Sequence, residues 1–430
     1  MLFPVDMRDW LPENHLVHFV IDAVSQIGVN GFKLNNRGTG SEQYPPQMML
    51  SLLVYSYATG RFGSRTIEAA TYTDVASRYI CGDTAHPDHS AICAFRKENK
   101  EVFEEAFTKI LLLARLTKKL KKVGGISVDG SKIKANASKH KAVSYKRSGE
   151  MIAELKEEVS KLVRLAEETD GKGLEDGLLI PEEIERREER QRALKAARAE
   201  MEAMYLQAEQ EGENKNKKLD KYQHNFTDSD SRIMKSGNHF EQCYNAQAAV
   251  DTEGSMLILG GYVTSHVNDK KELEQIVGSV PEEVRKVDTV SADSGFYSEK
   301  AVDAVERVNA EGEKEGPDVY CAVGKRKHGK KVEDMQKKPP MGRPPANMSK
   351  KEKMIRKLKT KKGKGVYKKR METVEPVFGI IKSVMGFRQF FLRGIENVNT
   401  EWALVRTAYN FKRLHRLLGG MSFSKCFAYG

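Results

Sequence analysis

Three carboxylates stand where chemistry can use them. Asp129 lies in VGGISVDGSKIKANAS, where Ile126 and Val128 alternate with Ser127 and Asp129 at the period of a strand with one polar face, and Gly130 and Ser131 follow directly. Asp293 ends a second predicted strand in VDTVSADSG, where the Ser-Gly turn exposes whatever precedes it. Both point toward a strand-end crevice, the usual ligand site of an α/β sheet. Glu375, in METVEPVFGIIK, falls on a predicted helix whose Val374, Phe378 and Ile381 pack on a sheet and turn the carboxylate across it. Acids gathered in this way repel one another, so a cation must compensate them. Oxygen donors with no His or Cys nearby select a hard ion, Mg²⁺ or Mn²⁺. Two such ions activate an attacking hydroxyl and stabilise the leaving oxygen of a phosphodiester. Taken singly, each carboxylate is one of 60 acidic residues, most of them solvated, and an aspartate at a strand end is often only a turn former.

The elements that must position these groups can be read from periodicity. From Pro45 to about Leu120 the pattern is a series of short helices, with Gly60 and Gly63 as punctuation. Asp88 is the expected N-cap of a helix carrying Arg96 and Lys97, in the order of a helix-turn-helix DNA reader. Arg61, Arg65, Arg96 and Lys97 are therefore the expected base and phosphate contacts of this region. From Met151 apolar residues repeat in heptads (Ile152, Leu155, Val159, Leu162, Ala166, then Leu194, Ala197, Met201, Met204, Ala208), which predicts a helical hairpin. That arm is acidic, with 19 acidic against ten basic residues over 150–213, so packing or self-association is expected of it and DNA binding is not. QCYNAQAAVD and MLILGGYVTSHV read as paired strands, followed by helix, strand, helix and strand, a mixed α/β core.

Charge narrows the partners. The chain has 430 residues and a net charge of +12, yet Lys325 to Arg370 holds 20 basic and three acidic residues, a local +17. With Pro339, Pro340, Pro344 and Pro345 the block reads as a mobile basic loop that needs a polyanion, and nucleic acid is the expected one. No apolar run approaches the ~18 residues of a membrane span. MLFPVDMRDWLPENHLV lacks the basic start and apolar middle of a secretory signal. The five cysteines (Cys81, Cys93, Cys243, Cys321, Cys426) are odd in number and form no C-x-x-C pair, which disfavours a disulfide framework or a zinc ribbon and fits a reducing cytoplasm.

The order of Asp129, Asp293 and Glu375 on strand, strand and helix resembles the ribonuclease H-like core of bacterial insertion-sequence DDE transposases. LFPVDMRDWLPENHLVHFV, YPPQMMLSLLVYSYATGRFGSRTIEAA, PDHSAICAFR, VDGSKIKANAS, YNAQAAVD and ADSGFYS all resemble stretches of one such family. The resemblance implies an α/β fold, a ribonuclease H-like mixed sheet with a helical N-terminal domain and a coiled-coil-like hairpin insertion. It implies a Mg²⁺-dependent (or Mn²⁺-dependent) enzyme, using two ions on Asp129, Asp293 and Glu375, that binds inverted-repeat ends, cleaves a strand and transfers it. The expected divisions are 1–120 for the helical DNA-binding domain, 121–145 with 236–324 for the first part of the core, 146–235 for the insertion, 325–366 for the basic flexible loop and 367–430 for the closing helices.

The region around Glu375 resembles a Tyr-Arg-Glu-Lys signature in which Tyr367, Arg370 and Lys382 are the DNA-contacting partners. Lys382 keeps the spacing of seven, which returns it to the glutamate's face of a regular helix. Arg370 precedes Glu375 by five positions where the signature has four. Glu372 is the rival third acid, and Gly379 stands where its lysine would be. Double-stranded DNA is the implied partner, a homodimer on DNA the implied assembly, and the bacterial nucleoid the implied location; no membrane is involved. The competing readings are a catalytically inactive repressor derived from such an enzyme and a structural coiled coil. His266 and Asp269 lie between a strand and a helix, where Asp269 either caps the helix or approaches the active site from behind its metal ligands, the cap being preferred; the Cys81, His86, His89, Cys93 spacing reads as loop and cap residues rather than a zinc site, and Trp402 as a core anchor.

Overall fold

Proline fixes the start of the first long helical run: Pro46 sits in the opening turn of a helix whose residues Met49 to Ala58 are all buried, so this is a core helix. The computed structural model describes residues 6–33, 43–82, 86–168, 180–210, 218–307, 315–324, 340–342, 344–345 and 347–421. Its N-terminal helices are α1 (Leu16–Ile27), α2 (Pro46–Ala58), α3 (Ser64–Thr73), α4 (Val75–Cys81), α5 (His89–Glu98) and α6 (Lys100–Leu116). Asp88 caps α5, accepting from the Ala91 N–H at 2.7 Å.

Next come β1 (Val123–Lys134), β2 (Ala142–Ser144), α7 (Tyr145–Glu168), α8 (Ile180–Gln210), β3 (Gln223–Asn225), β4 (Arg232–Ser236), β5 (His239–Asp251), β6 (Ile258–Gly260), β7 (Val263–Thr264), α9 (Glu272–Gly278) and β8 (Lys286–Ala292). They are followed by α10 (Glu299–Val305), β9 (Asp318–Cys321), α11 (Lys350–Lys359), α12 (Lys361–Glu372), α13 (Val374–Gly379), a π-helical turn over Ile380–Val384, and α14 (Ile395–Leu417).

The chain forms two compact units, residues 1–134 with 244–430, and residues 135–243. In the larger unit the sheet order is β5–β1–β8–β9. β1, β8 and β9 are parallel, with Ser127 opposite Ser291 and Ser291 opposite Tyr320, while β6 and β7 pair antiparallel with β5. Three strand segments followed by alternating helices and parallel strands give the mixed α/β sheet of a ribonuclease H-like core. Gly124 to Val128 of β1 and Val290 to Ala292 of β8 are buried throughout, as parallel strands covered on both faces must be.

Helix α14 closes this unit. Asn399 takes the Val263 N–H at 2.7 Å and donates to its carbonyl at 3.1 Å, and Asn410 does the same to Ile258 at 2.9 and 2.8 Å. Eleven residues are about three helical turns, so the two amides share a face and satisfy the open side of β6 and β7 as a further strand would. The other faces of α14 pack on α6, α2 and α1. The N-terminal helices therefore belong to the same compact unit as the sheet, and the expected boundary at residue 120 does not separate them.

The smaller unit contains α7 and α8 as an antiparallel hairpin, with Arg198 donating to the Tyr145 carbonyl at one end and Arg187 bonded to Glu158 further along. Leu155, Leu194, Ala197 and Met201 are buried as the heptads require; the side chain of Ala166 lies outside the described residues. β2 pairs with β3, and β4 with residues 239–243 of β5.

One expectation needs correction. The basic stretch expected to be a flexible loop over 325–366, with a helix starting near Glu372, is helical from Lys350 onward. Ser349 and Glu352 form a capping box, and Met354 and Leu358, four apart, are buried, an apolar stripe that the surrounding lysines obscure in the composition. Lys357 lies over the Tyr320 ring at 4.6 Å and pairs with Glu306 and Asp318. Residues 325–339, 343 and 346 of the same stretch lie outside the described residues, as does Cys426.

Candidate active site

Register decides where the two aspartates sit. Ser127 and Ser291 are partners on the adjacent parallel strands β1 and β8, and their hydroxyls meet at 2.7 Å. Asp129, inside β1, and Asp293, just past the end of β8, each lie two residues beyond that pair, near enough for the Asp293 charge to act on the Asp129 carboxyl. Asp129 Oδ1 accepts from the Gly130 N–H at 3.0 Å, and Asp293 Oδ1 accepts from the Gly295 N–H at 2.7 Å. Burial pushes the Cys321 thiol up to about 12, so it remains protonated and donates to the Asp293 carbonyl at 2.9 Å.

Glu375 comes from the helical side. The chain breaks at Thr373, where φ is −123 and ψ −76, and restarts as α13 with Glu375 in its first turn, where the helix dipole favours a carboxylate. Arg370, near the end of α12, joins the two sides: Nη1 reaches Asp129 Oδ2 at 3.2 Å and Nη2 reaches Glu375 Oε1 at 2.7 Å. Its departure from the signature spacing thus places it between the first and third acids. Glu372, the rival, pairs with Lys368 at 3.1 Å instead. Lys382 falls in the π-helical turn rather than a regular helix and donates to the Lys132 carbonyl at 2.9 Å. Tyr367 is half-buried on α12.

The Asp129 carboxyl is pushed up to about 7. Burial is the main cause; Arg370 opposes it, and Asp293 and Asp269 add to it. Asp129 and Glu375 share the one guanidinium of Arg370, with Asp293 beside them. The site's donors are carboxylate oxygens, which fit a hard divalent cation. Among the described residues no three such groups converge closely enough to cage an ion by themselves. Asp129 and Asp293 are the adjacent pair, and Glu375 is held to Asp129 through Arg370.

Asp269 belongs here too: of the two roles the sequence offers it, helix cap or approach to the active site, the side chain takes the second. Its side chain caps nothing: it accepts from Asn245 Nδ2 at 2.6 Å and Gln247 Nε2 at 2.8 Å, and Lys132 Nζ is 3.8 Å away. The available signal was Asn245 and Gln247 in YNAQAAVD, two amides on one face of a strand otherwise filled with apolar residues.

The cationic residues expected to read DNA divide. Arg65 and Lys97 are exposed. Arg61 pairs with Asp74 at 3.3 Å and is half-buried. Arg96 is 3 % exposed and donates to the Tyr57 hydroxyl at 2.9 Å and the Phe62 carbonyl at 3.0 Å. A guanidinium enclosed in this way cannot reach a base edge, so the expected base contact of Arg96 is overturned. His86 stacks on Tyr72 at 3.8 Å and meets Arg78 at 2.6 Å, while His89 bonds Glu68 at 2.9 Å, so both rings are already partnered, as loop and cap residues are. Trp402 is fully buried, stacks on Phe378 and donates to the Gln247 carbonyl at 3.1 Å, which makes it a core anchor.

No curated protein matches the chain. A solved cryo-EM structure, described as the piggyBac transposase synaptic complex with hairpin DNA, is similar at 8% identity and a TM-score of 0.35, over 98% of this chain and 78% of that one. Residues 5–98 match the family described as Transposase domain (DUF772). Residues 206–411, which include Asp269, Asp293 and Glu375 and begin after Asp129, match the family described as Transposase DDE domain. With a transposase domain on the N-terminal helices and a DDE domain on the sheet and closing helices, the chain belongs to the DDE-type transposases.

Proposed function

We propose that the protein binds the terminal inverted repeats of its own mobile element and catalyses metal-dependent strand cleavage and strand transfer there. The observation that carries this reading is the placement of Asp129 on β1 and Asp293 just past β8, each two residues beyond the paired Ser127 and Ser291 of adjacent parallel strands, with Glu375 tied to Asp129 by Arg370. Asp129, Asp293 and Glu375 would hold Mg²⁺ or Mn²⁺, two ions in all, which when bound lower the pKa of a nucleophile and stabilise the charge on a leaving oxygen. The chain's own residues do the rest. β1, within which Asp129 lies, and the end of β8, which Asp293 follows, hold the aspartates in place before substrate arrives. Arg370 and Lys382 bring positive charge to the rim of the acids, where a scissile phosphate must lie, and Tyr367 flanks it. Arg65 and Lys97, with Arg61 at the turn after α2, contact phosphates or base edges. A homodimer brings two element ends together. The exposed lysines of α11 and α12 contribute affinity without sequence preference.

Cleavage of labelled duplexes carrying the DNA that flanks the coding region, with Mg²⁺ present, tests this directly. Asp129→Ala, Asp293→Ala and Glu375→Ala are each expected to abolish cleavage and to leave end binding largely intact. Near-normal activity in any one removes that residue from the catalytic set. A wild-type chain that binds the ends and never cleaves them is the repressor.

A further inference from the structure

The carboxylate of Asp269 is inserted between the two glycines that follow the catalytic aspartates. A methyl group at Gly130 would lie 2.6 Å from Asp269 Oδ1, 2.5 Å from Gln247 Nε2 and 2.9 Å from Asn245 Oδ1; one at Gly295 would lie 3.5 Å from Asp269 Oδ2 and 2.9 Å from Asp293 Oδ1. The glycines of VDGS and ADSG therefore make room for a third acid as well as turning the chain. One oxygen of Asp269 faces the Asp129 side and the other the Asp293 side.

The amides around it are lopsided. Asn245 and Gln247 both direct their NH₂ groups to Asp269 Oδ1, an orientation the acceptor-only carboxylate imposes. Their oxygens, in side chains that are 0% exposed, have no hydrogen-bond partner. A buried acceptor left without a donor is destabilising. Asn245 Oδ1, Gln247 Oε1 and Asp269 Oδ2 are thus three acceptors beside the acidic pair, a set that suits the O–H groups of a hydrated cation and repels an anion.

We propose that Asp269 is a positioning carboxylate of the active site, holding, together with the amide oxygens of Asn245 and Gln247, the water shell of the divalent cation carried by Asp129 and Asp293. The inference rests on the metal-dependent reading of that pair and names the groups that fix the ion's outer shell. Such partners are worth about 10- to 100-fold in metal affinity.

Titration of the full-length chain with Mn²⁺, followed by electron paramagnetic resonance of the free ion, tests it without DNA. Hexaamminecobalt(III), which binds only through its outer N–H groups, serves as the second probe. Asp269→Asn is expected to weaken both probes about tenfold or more. In cleavage assays it should move the Mg²⁺ dependence to higher concentration and restore the wild-type maximal rate at saturation. The exchange pair Asn245→Asp with Asp269→Asn keeps one amide–carboxylate hydrogen bond and the net charge, guarding against a variant that merely fails to fold; it should bind both probes as weakly. Wild-type affinity in either variant, with thermal melting showing a folded chain, overturns the proposal. A wild-type chain that binds Mn²⁺ through Asp269 and never cleaves DNA sinks the transposition reading alone.

Discussion

The chemistry proposed for Asp129 needs its carboxylate, while burial raises the pH at which that carboxylate forms, and that conflict has a measurable consequence. Its carboxyl is held at about 7 in the folded chain, against 3.8 for an ordinary aspartate. A carboxyl whose folded value is raised stabilises the fold while protonated. The contribution is full below about 4 and is lost as pH rises through 7. Side-chain exposure is only 22 %, so solvent screens little of it, and the loss at pH 8 is on the order of 2–4 kcal/mol. Asp129→Asn, which imitates the protonated acid, should therefore melt higher than wild type at pH 8 without divalent ions, and the gap should close at pH 4. Equal melting of the two proteins at pH 8 would show that Arg370 already compensates the charge. Mg²⁺ should stabilise wild type at pH 8 and do little for the variant, since a ligand stabilises only the state that binds it.

Among the elements, the contact between α5 and α14 separates structural from DNA-reading roles. Arg96 on α5 donates to the Tyr57 hydroxyl, Tyr57 donates to Glu401 Oε1 at 3.2 Å, and Glu401 Oε2 accepts the N–H groups of Phe391 and Leu392 at 2.9 and 3.0 Å. Phe62 packs edge-on against Phe387 in the same place. This network fixes the segment that follows the π-helical turn and hence the far end of the stretch carrying Glu375 and Lys382. Arg96→Ala leaves a buried hydroxyl and a buried carboxylate without their cation and should cost about 2–4 kcal/mol in denaturant unfolding. The fraction that remains folded should discriminate element ends as wild type does; a loss of discrimination at unchanged stability would return Arg96 to the DNA interface. The same residues show what a sequence reveals of a site. Alternation placed Asp129 on a strand and Asp293 at a strand end because period two is local, and the Asp88 cap was legible for the same reason; that β1 runs on past Asp129 to Lys134 was not. Arg96 was misread because its spacing fits an exposed helix face equally well, and only the long-range partners Tyr57 and Glu401 decide the matter. For Asp269 the sequence offers both a cap and an approach to the active site and favours the cap, because the partners that decide it come from β5, more than twenty residues away.

For the whole molecule, the position of the positive charge matters more than its total. The basic block adds to DNA affinity only through cations the fold does not already use, and it uses several: Lys350 is paired with Asp303, Lys357 with Glu306 and Asp318, and Lys362 with Asp318. Those pairs dock α11 and α12 on α10 and β9, so composition, which predicted a mobile loop, overcounted the charge available to DNA. Lys351, Lys359, Lys361 and Lys364 are exposed on α11 and α12. Each cation that neutralises a phosphate releases counterions and contributes about 0.9 to the slope of log affinity against log salt. Changing these four lysines to glutamine should therefore make that slope shallower by up to about 3.6 and weaken binding to element ends and random duplex alike. The ratio between the two DNAs should stay constant, because phosphate contacts carry no sequence. Glutamine keeps helix propensity, so the melting temperature should hold and serves as the control. An unchanged slope in a folded variant would remove α11 and α12 from the DNA interface and leave the lysines as a solvated face.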